Sequence, residues 1–151
     1  MMAGAPHTVF LVEDNPDHTY LTEFVLDGAE EPHTIIHSAD GKDALDRLLG
    51  RGQYEGKPLR PALVLLDIKI PRVDGFEVLR TMRAEESLRL VPVVMLTTSS
   101  NPADIRRSLA LGASDYVIKP IGLAEFERKL RGVLRYWLSV SDVGHARHAE
   151  P

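Results

Sequence analysis

Leu63-Val64-Leu65-Leu66-Asp67-Ile68-Lys69-Ile70-Pro71-Arg72-Val73-Asp74-Gly75 is the stretch on which the reading of this chain turns. Four aliphatic residues in a row, without polar alternation, describe a strand buried in a parallel sheet. The run stops at a carboxylate. Pro71 and the Asp74-Gly75 pair then mark the turn that follows. Open α/β sheets collect their ligands at the carboxyl ends of the strands, so Asp67 stands where chemistry is expected.

Three more apolar runs end the same way. Val9-Phe10-Leu11-Val12 leads into Glu13-Asp14, Val93-Val94-Met95-Leu96 into Thr97, and Tyr116-Val117-Ile118 into Lys119-Pro120. Taken singly, each residue has a plain explanation. Adjacent acids cap helices, Asp67 could be a turn residue, threonine is favoured in strands, and Lys119 could be a surface lysine with Pro120 ending the strand. Taken together, the plain explanations weaken, because like charges crowded at one sheet edge repel unless a cation or a function compensates. Magnesium needs only one or two direct carboxylates and keeps several waters. Asp14 and Asp67 suit that demand, and Glu13 suits a contact through water. A carboxylate can accept a phosphoryl group as an acyl phosphate, with the cation and Lys119 neutralising charge.

Working outward, strands are expected near 8–12, 33–37, 62–67, 92–97 and 115–118, alternating with helices as in an α/β fold with a parallel sheet. His33-Thr34-Ile35-Ile36-His37 is the most polar and belongs at an edge. Asn15-Pro16 and Asn101-Pro102 each offer an N-cap followed by proline at the first helical position. Apolar faces are expected from Leu21, Phe24 and Val25 in the first helix, and from Ala44, Leu45, Leu48 and Leu49 in the second. Phe76, Leu79 and Met82 mark the third, and Ile105, Leu109 and Leu111 the fourth. The last runs from Leu123 to about Val140. The core is expected to need it only to about Val133, which leaves Leu134, Tyr136, Trp137, Leu138 and Val140 as apolar surface. The expected organisation is a flexible N-terminus over 1–7, one domain over 8–140 and a flexible tail over 141–151. The loop 53–61 has no evident purpose.

The 151 residues are 44% hydrophobic and 26% charged, an ordinary composition for a single globular domain. A net charge of −4 and a pI near 5.8 argue against a nucleic-acid surface. No apolar stretch is long enough to span a membrane and no signal peptide is evident, so the cytoplasm is the expected compartment. The absence of cysteine excludes disulfides and thiolate metal sites.

In their order and spacing, Glu13-Asp14, Leu65-Leu66-Asp67-Ile68 through Pro71 and Asp74-Gly75, Thr97, and Lys119-Pro120 resemble the receiver domain of two-component response regulators. The resemblance covers residues 8 to about 138. It implies a doubly wound sheet of five parallel strands in the order 2-1-3-4-5, flanked by five helices. It also implies that Asp67 takes a phosphoryl group from a sensor histidine kinase, and that magnesium is bound by Asp14, Asp67 and the backbone carbonyl of Lys69. Thr97 and Lys119 would contact the phosphoryl group. Tyr116 would be the switch aromatic, turning into space that opens when Thr97 is drawn to the phosphoryl group. The Lys119-Pro120 bond would be cis. Val12-Glu13-Asp14-Asn15-Pro16, Ile70 to Gly75, Leu96-Thr97-Thr98-Ser99-Ser100 and the Tyr136-Trp137-Leu138 ending are similar to single-domain regulators that partner bacterial phytochromes, which implies a phytochrome kinase as donor. A homodimer is expected through helix 4, strand 5 and helix 5, with Tyr136 and Trp137 as anchors.

The chain departs from common receivers at Glu13, where Asp is more frequent, and at Lys69 and Thr98, which are larger than usual; these bear on the dephosphorylation rate. Two other readings stand beside this one. An aspartyl-phosphate phosphohydrolase requiring magnesium, of the haloacid dehalogenase type, wants a second Asp two residues after the nucleophile, where this chain has Lys69. A pseudo-receiver that docks without phosphotransfer would not need the full charged set.

Overall fold

A computed structural model describes the backbone of residues 7–119 and 122–149, and the side chains of 7–119 and 122–139. Strands β1 (His7–Val12), β2 (His33–Ser38), β3 (Leu63–Leu66), β4 (Val93–Thr97) and β5 (Asp115–Ile118) alternate with helices α1 (Pro16–Asp27), α2 (Gly41–Leu49), α3 (Gly75–Ala84), α4 (Pro102–Ala110) and α5 (Leu123–Ala149). All strand pairs are parallel, in the order β2-β1-β3-β4-β5. This is the expected doubly wound sheet, with the polar β2 at one edge. β1 begins at His7, paired with His33, one residue earlier than the sequence suggests.

Alternation along each strand divides the core in two. Val9, Leu11, Leu63, Leu65, Val94 and Leu96 pack with Val25 and Leu26 of α1 and with Phe126, Leu130 and Leu134 of α5. Phe10, Val12, Val64, Leu66, Val93 and Met95 pack on the other face against α2 and α3. Burying each such side chain contributes about 1.5–3 kcal/mol.

The helix starts follow from local chemistry. Asn15 Oδ1 accepts from the Asp17 N–H at 2.9 Å and the His18 N–H at 3.2 Å, with Pro16 at the first helical position. Asp40, Asp74 and Asn101 cap α2, α3 and α4 in the same way. Gly50, at φ 66°, closes α2 in the left-handed region.

Several faces differ from expectation. On α1 the buried stripe is Thr22, Val25 and Leu26, one residue round the helix from the stripe Leu21–Phe24–Val25, and Phe24 is 55% exposed. On α4 the only fully buried side chain is Ser108. Leu109 points to solvent there, while Ile105 and Leu111 are half-buried. On α5 the core continues past Val133 through Leu134 and Leu138, and Trp137 packs on it. Of the apolar surface expected there, Tyr136 is exposed and the Val140 side chain lies outside the described residues. The backbone of α5 continues beyond Val140 to Ala149, in keeping with a stretch that meets no proline before Pro151. Pro120 is outside the described residues, and so is the isomer of its peptide bond.

The 53–61 loop covers α2. Tyr54 Oη donates to Asp43 Oδ1 at 2.8 Å, Arg47 lies over the Tyr54 ring at 4.5 Å, and Leu59 packs on the core. Between β3 and α3 the chain doubles back tightly. Gly75 N–H donates to Ile68 O at 2.8 Å and Gly41 N–H to Pro71 O at 3.1 Å. A Cβ at Gly75 would fall 2.1 Å from the Asp67 carbonyl oxygen, and one at Gly41 would fall 1.8 Å from that of Val73.

Candidate functional site

Because the strands run parallel, the ends of β1, β3, β4 and β5 come together on one edge of the sheet. Asp67, directly after β3, is 8% exposed, while Glu13, Thr97 and Lys119 are buried and Asp14 is open to solvent. Asn15, rather than the acidic pair, caps α1, so Asp14 is not spent on capping. One carboxylate oxygen from each of Glu13, Asp14 and Asp67 lies within 4.8 Å of the others.

Lys119 sits among them. Its Nζ donates to Glu13 Oε1, to Asp67 Oδ2 at 3.2 Å and to His18 Nδ1 at 3.2 Å. The second Asp67 oxygen, Oδ1, accepts the Ile68 N–H at 2.7 Å. Glu13 Oε2 accepts the Asn15 N–H at 3.1 Å. Burial pushes the Glu13 carboxyl above the usual range, and the hydrogen bond and charge of Lys119 pull against that rise. Three carboxylates against one ammonium leave two negative charges at this edge, which is the charge a divalent cation would balance. The hard oxygen donors of Asp14 and Asp67, one of them facing water, fit such an ion.

Thr97 and Tyr116 meet at a single residue. Thr97 Oγ1 accepts the Ser99 N–H at 3.4 Å, and Tyr116 Oη donates to Ser99 O at 2.8 Å. The Tyr116 ring is half-buried and packs against the core. Burial pushes the Tyr116 phenol up, against the hydrogen bond to Ser99.

The structure thus brings Glu13, Asp14, Asp67, Thr97 and Lys119 to one edge, with Lys69, itself exposed, two residues beyond Asp67. Sequence reasoning overlooked His18 and His37. His37 Nε2 donates to Glu13 O at 2.8 Å and fixes the acidic loop from the β2 side. For His18 the available signal was positional, since it lies in the first turn of α1, which starts at Pro16 just beyond the end of β1.

The family model for the response regulator receiver domain matches residues 9–131, and the chain belongs to that family. It is 36% identical to response regulator Rcp1 of Synechocystis sp. over 136 residues, covering 90% of this chain and 92% of Rcp1. It is 38% identical over 136 residues to a "Probable methanogenesis regulatory protein FilR2" of Methanothrix harundinacea, covering 90% and 86% of the two chains. The phosphorylated cyanobacterial phytochrome response regulator RcpA superposes with a TM-score of 0.83 at 35% identity, over 90% of this chain and 96% of RcpA. A Mn(2+)-bound form of Rcp1 superposes at 0.81 with 35% identity, over 88% and 95%.

Proposed function

We propose that this chain accepts a phosphoryl group on Asp67 from the phosphohistidine of a sensor kinase and signals through its own surface. The observation that carries this reading is the placement of Asp67, held by the Ile68 N–H on one oxygen and by Lys119 on the other, beside Asp14 and Glu13. In the transfer an Asp67 oxygen bonds to phosphorus while the phosphorus–nitrogen bond of the donor breaks. The imidazole leaves with the electron pair. Asp14, Asp67 and the Lys69 carbonyl, with Glu13 through water, would hold a magnesium ion, which would supply positive charge to the transferring group. Lys119 holds one phosphoryl oxygen and Thr97 another. The protein in this reading is a cytoplasmic signalling protein and not a turnover enzyme. The likeness to RcpA favours a phytochrome kinase as donor. Incubation with such kinases and trapping of the acyl phosphate tests it.

Phosphorylation biases the surface around α4 and β5 through Ser99. When the Thr97 hydroxyl turns to the phosphoryl group it releases the Ser99 N–H, and Tyr116 retains the Ser99 carbonyl.

Asp14→Ala is expected to weaken magnesium binding by roughly tenfold or more, since one of two direct carboxylates is lost. The exposed position of Asp14 lets the fold persist. Calorimetric titration checks this, and an Asp14→Ala isotherm equal to that of the parent defeats the metal assignment.

A homodimer through α4, β5 and α5 belongs to the same reading, although Leu134 and Leu138 no longer support it. What supports it is Tyr136, 59% exposed and edge-on to Trp137 at 4.7 Å. The pair borders a groove of about 500 Å³ shared with Asp115, Val117 and Lys129. Leu109 is exposed on the neighbouring α4. In sedimentation the parent is expected to run as a dimer at micromolar concentration and Tyr136→Ala as a monomer. A monomeric parent refutes the dimer.

A further inference from the structure

Lys119 has an acceptor that no part of the phosphoryl-transfer scheme has used. An ammonium carries three N–H donors and no acceptor. In this site all three are taken, by Glu13 Oε1, Asp67 Oδ2 and His18 Nδ1 at 3.2 Å. Because the lysine can only donate, Nδ1 must present its lone pair, which places the ring proton on Nε2. Lys119 is 5% exposed, so without His18 one N–H would be left buried and unsatisfied, or would swing away from Asp67 to find a partner.

His18 is itself held. Its backbone N–H is capped by Asn15 Oδ1 at 3.2 Å, and the Asn15 N–H is bound in turn by Glu13 Oε2 at 3.1 Å. The first turn of α1 and the buried carboxylate are therefore one unit, and the backbone that carries the imidazole is fixed relative to the acidic site. The ring is 30% exposed at the mouth of the site.

We propose that His18 is a positioning residue for phosphoryl acceptance: by taking the third N–H of Lys119 through Nδ1, it fixes the rotation of the ammonium so that another N–H stays aimed at the Asp67 oxygen and, after transfer, at a phosphoryl oxygen. The carboxylate hydrogen bonds direct two of the N–H groups, and an acceptor for the third holds the ammonium in the one rotation that serves all three. His18 touches neither the phosphoryl donor nor phosphorus and acts through Lys119, its Nδ1 also lying 3.9 Å from Glu13 Oε2. The proposal rests on Asp67 being the phosphoacceptor.

The test uses the full chain in four forms: parent, His18→Ala, His18→Leu and His18→Asn. The Asn amide oxygen stands near the place of Nδ1, whereas Leu keeps bulk without an acceptor. Nitrogen-15 NMR of the unphosphorylated protein reads the Lys119 ammonium and the His18 tautomer, and backbone amide spectra check the fold of each form. Labelling at Asp67 by acetyl phosphate with magnesium reads the chemistry. In the parent the Lys119 ammonium is expected to be protected from exchange and His18 Nδ1 to be unprotonated. His18→Ala and His18→Leu are expected to lose that protection and to label about tenfold more slowly, the scale of one lost hydrogen bond to a charged group. His18→Asn is expected to restore both. A parent with the proton on Nδ1, an unchanged Lys119 signal in His18→Ala, or a His18→Asn as slow as His18→Leu overturns the proposal. A parent that never labels overturns phosphoacceptance by Asp67 instead, and the tautomer and ammonium signals still decide the place of His18.

Discussion

Asp67→Asn is expected to fold like the parent and to take no phosphoryl group from acetyl phosphate or from a kinase. The amide keeps the shape of the carboxylate and can still accept the Ile68 N–H through Oδ1. It lacks the anionic oxygen that attacks phosphorus, and it sets an NH₂ group against the Lys119 ammonium where Oδ2 had accepted. No other carboxylate at this edge has the same setting. Glu13 is buried with both oxygens engaged, one by Lys119 and one by the Asn15 N–H, and Asp14 is exposed. Labelling should therefore fall below detection rather than move to a neighbour. Reductive trapping of the acyl phosphate followed by mass analysis of the peptides decides the matter. Label on Asp67→Asn at the parent's level would falsify the assignment, and a parent without label would favour a docking module that performs no phosphotransfer.

Gly75→Ala is the second large effect. A methyl group there would lie 2.1 Å from Asp67 O, 2.8 Å from the Ile68 Cα and 2.9 Å from the Asp67 carbonyl carbon. All three are backbone atoms, so no side chain can turn aside. The turn is further pinned by the Gly75 N–H to Ile68 O bond at 2.8 Å. Either the start of α3 moves out or Asp67 moves from its place. The expected loss is about 3 kcal/mol, the upper end of ordinary overpacking, or a fall in melting temperature of roughly 6–12 °C. Labelling at Asp67 should slow as well, because the same contact positions the acceptor. Gly132→Ala in α5 is the control. Nothing lies within 4 Å of a Cβ there, so it should gain about 1 kcal/mol from helix propensity. Calorimetric melting of both variants tests the pair, and a Gly75→Ala that melts with the parent removes the steric argument.

Most of the fold is legible in the sequence because strand ends and helix caps are local events. The run before Asp67 and the Asn-Pro pairs mark their own boundaries, and the structure agrees with them to within a residue or two. Helix rotation is less legible. Leu21–Phe24–Val25 and Thr22–Val25–Leu26 are both acceptable stripes on α1, and only packing against the sheet and α5 selects the second. The end of α5 is illegible for a related reason: Leu134 and Leu138 are buried in a cluster with α1 and the sheet that spacing alone does not reveal. In the site, Glu13, Asp14, Asp67, Thr97 and Lys119 share one mark, a polar residue closing an apolar run. His18, His37 and Ser99 carry no such mark. They come to the site through a helix turn, an edge strand and a loop, and their contacts depend on side-chain directions that spacing does not reveal.

The pair between Lys119 and Glu13 joins residues 106 positions apart in the chain, and this orders events during folding. Contacts of such long separation close late, after the loops between them have been organised. On the ribosome Glu13, Asp14 and Asp67 emerge well before Lys119. An incomplete chain therefore holds the acidic residues without the cation that balances them. That cation follows β5, the last strand in the chain and one of the two edges of the sheet. On the proposed reading, the acceptor chemistry requires the whole domain, so competence to be phosphorylated would also report the completion of the fold.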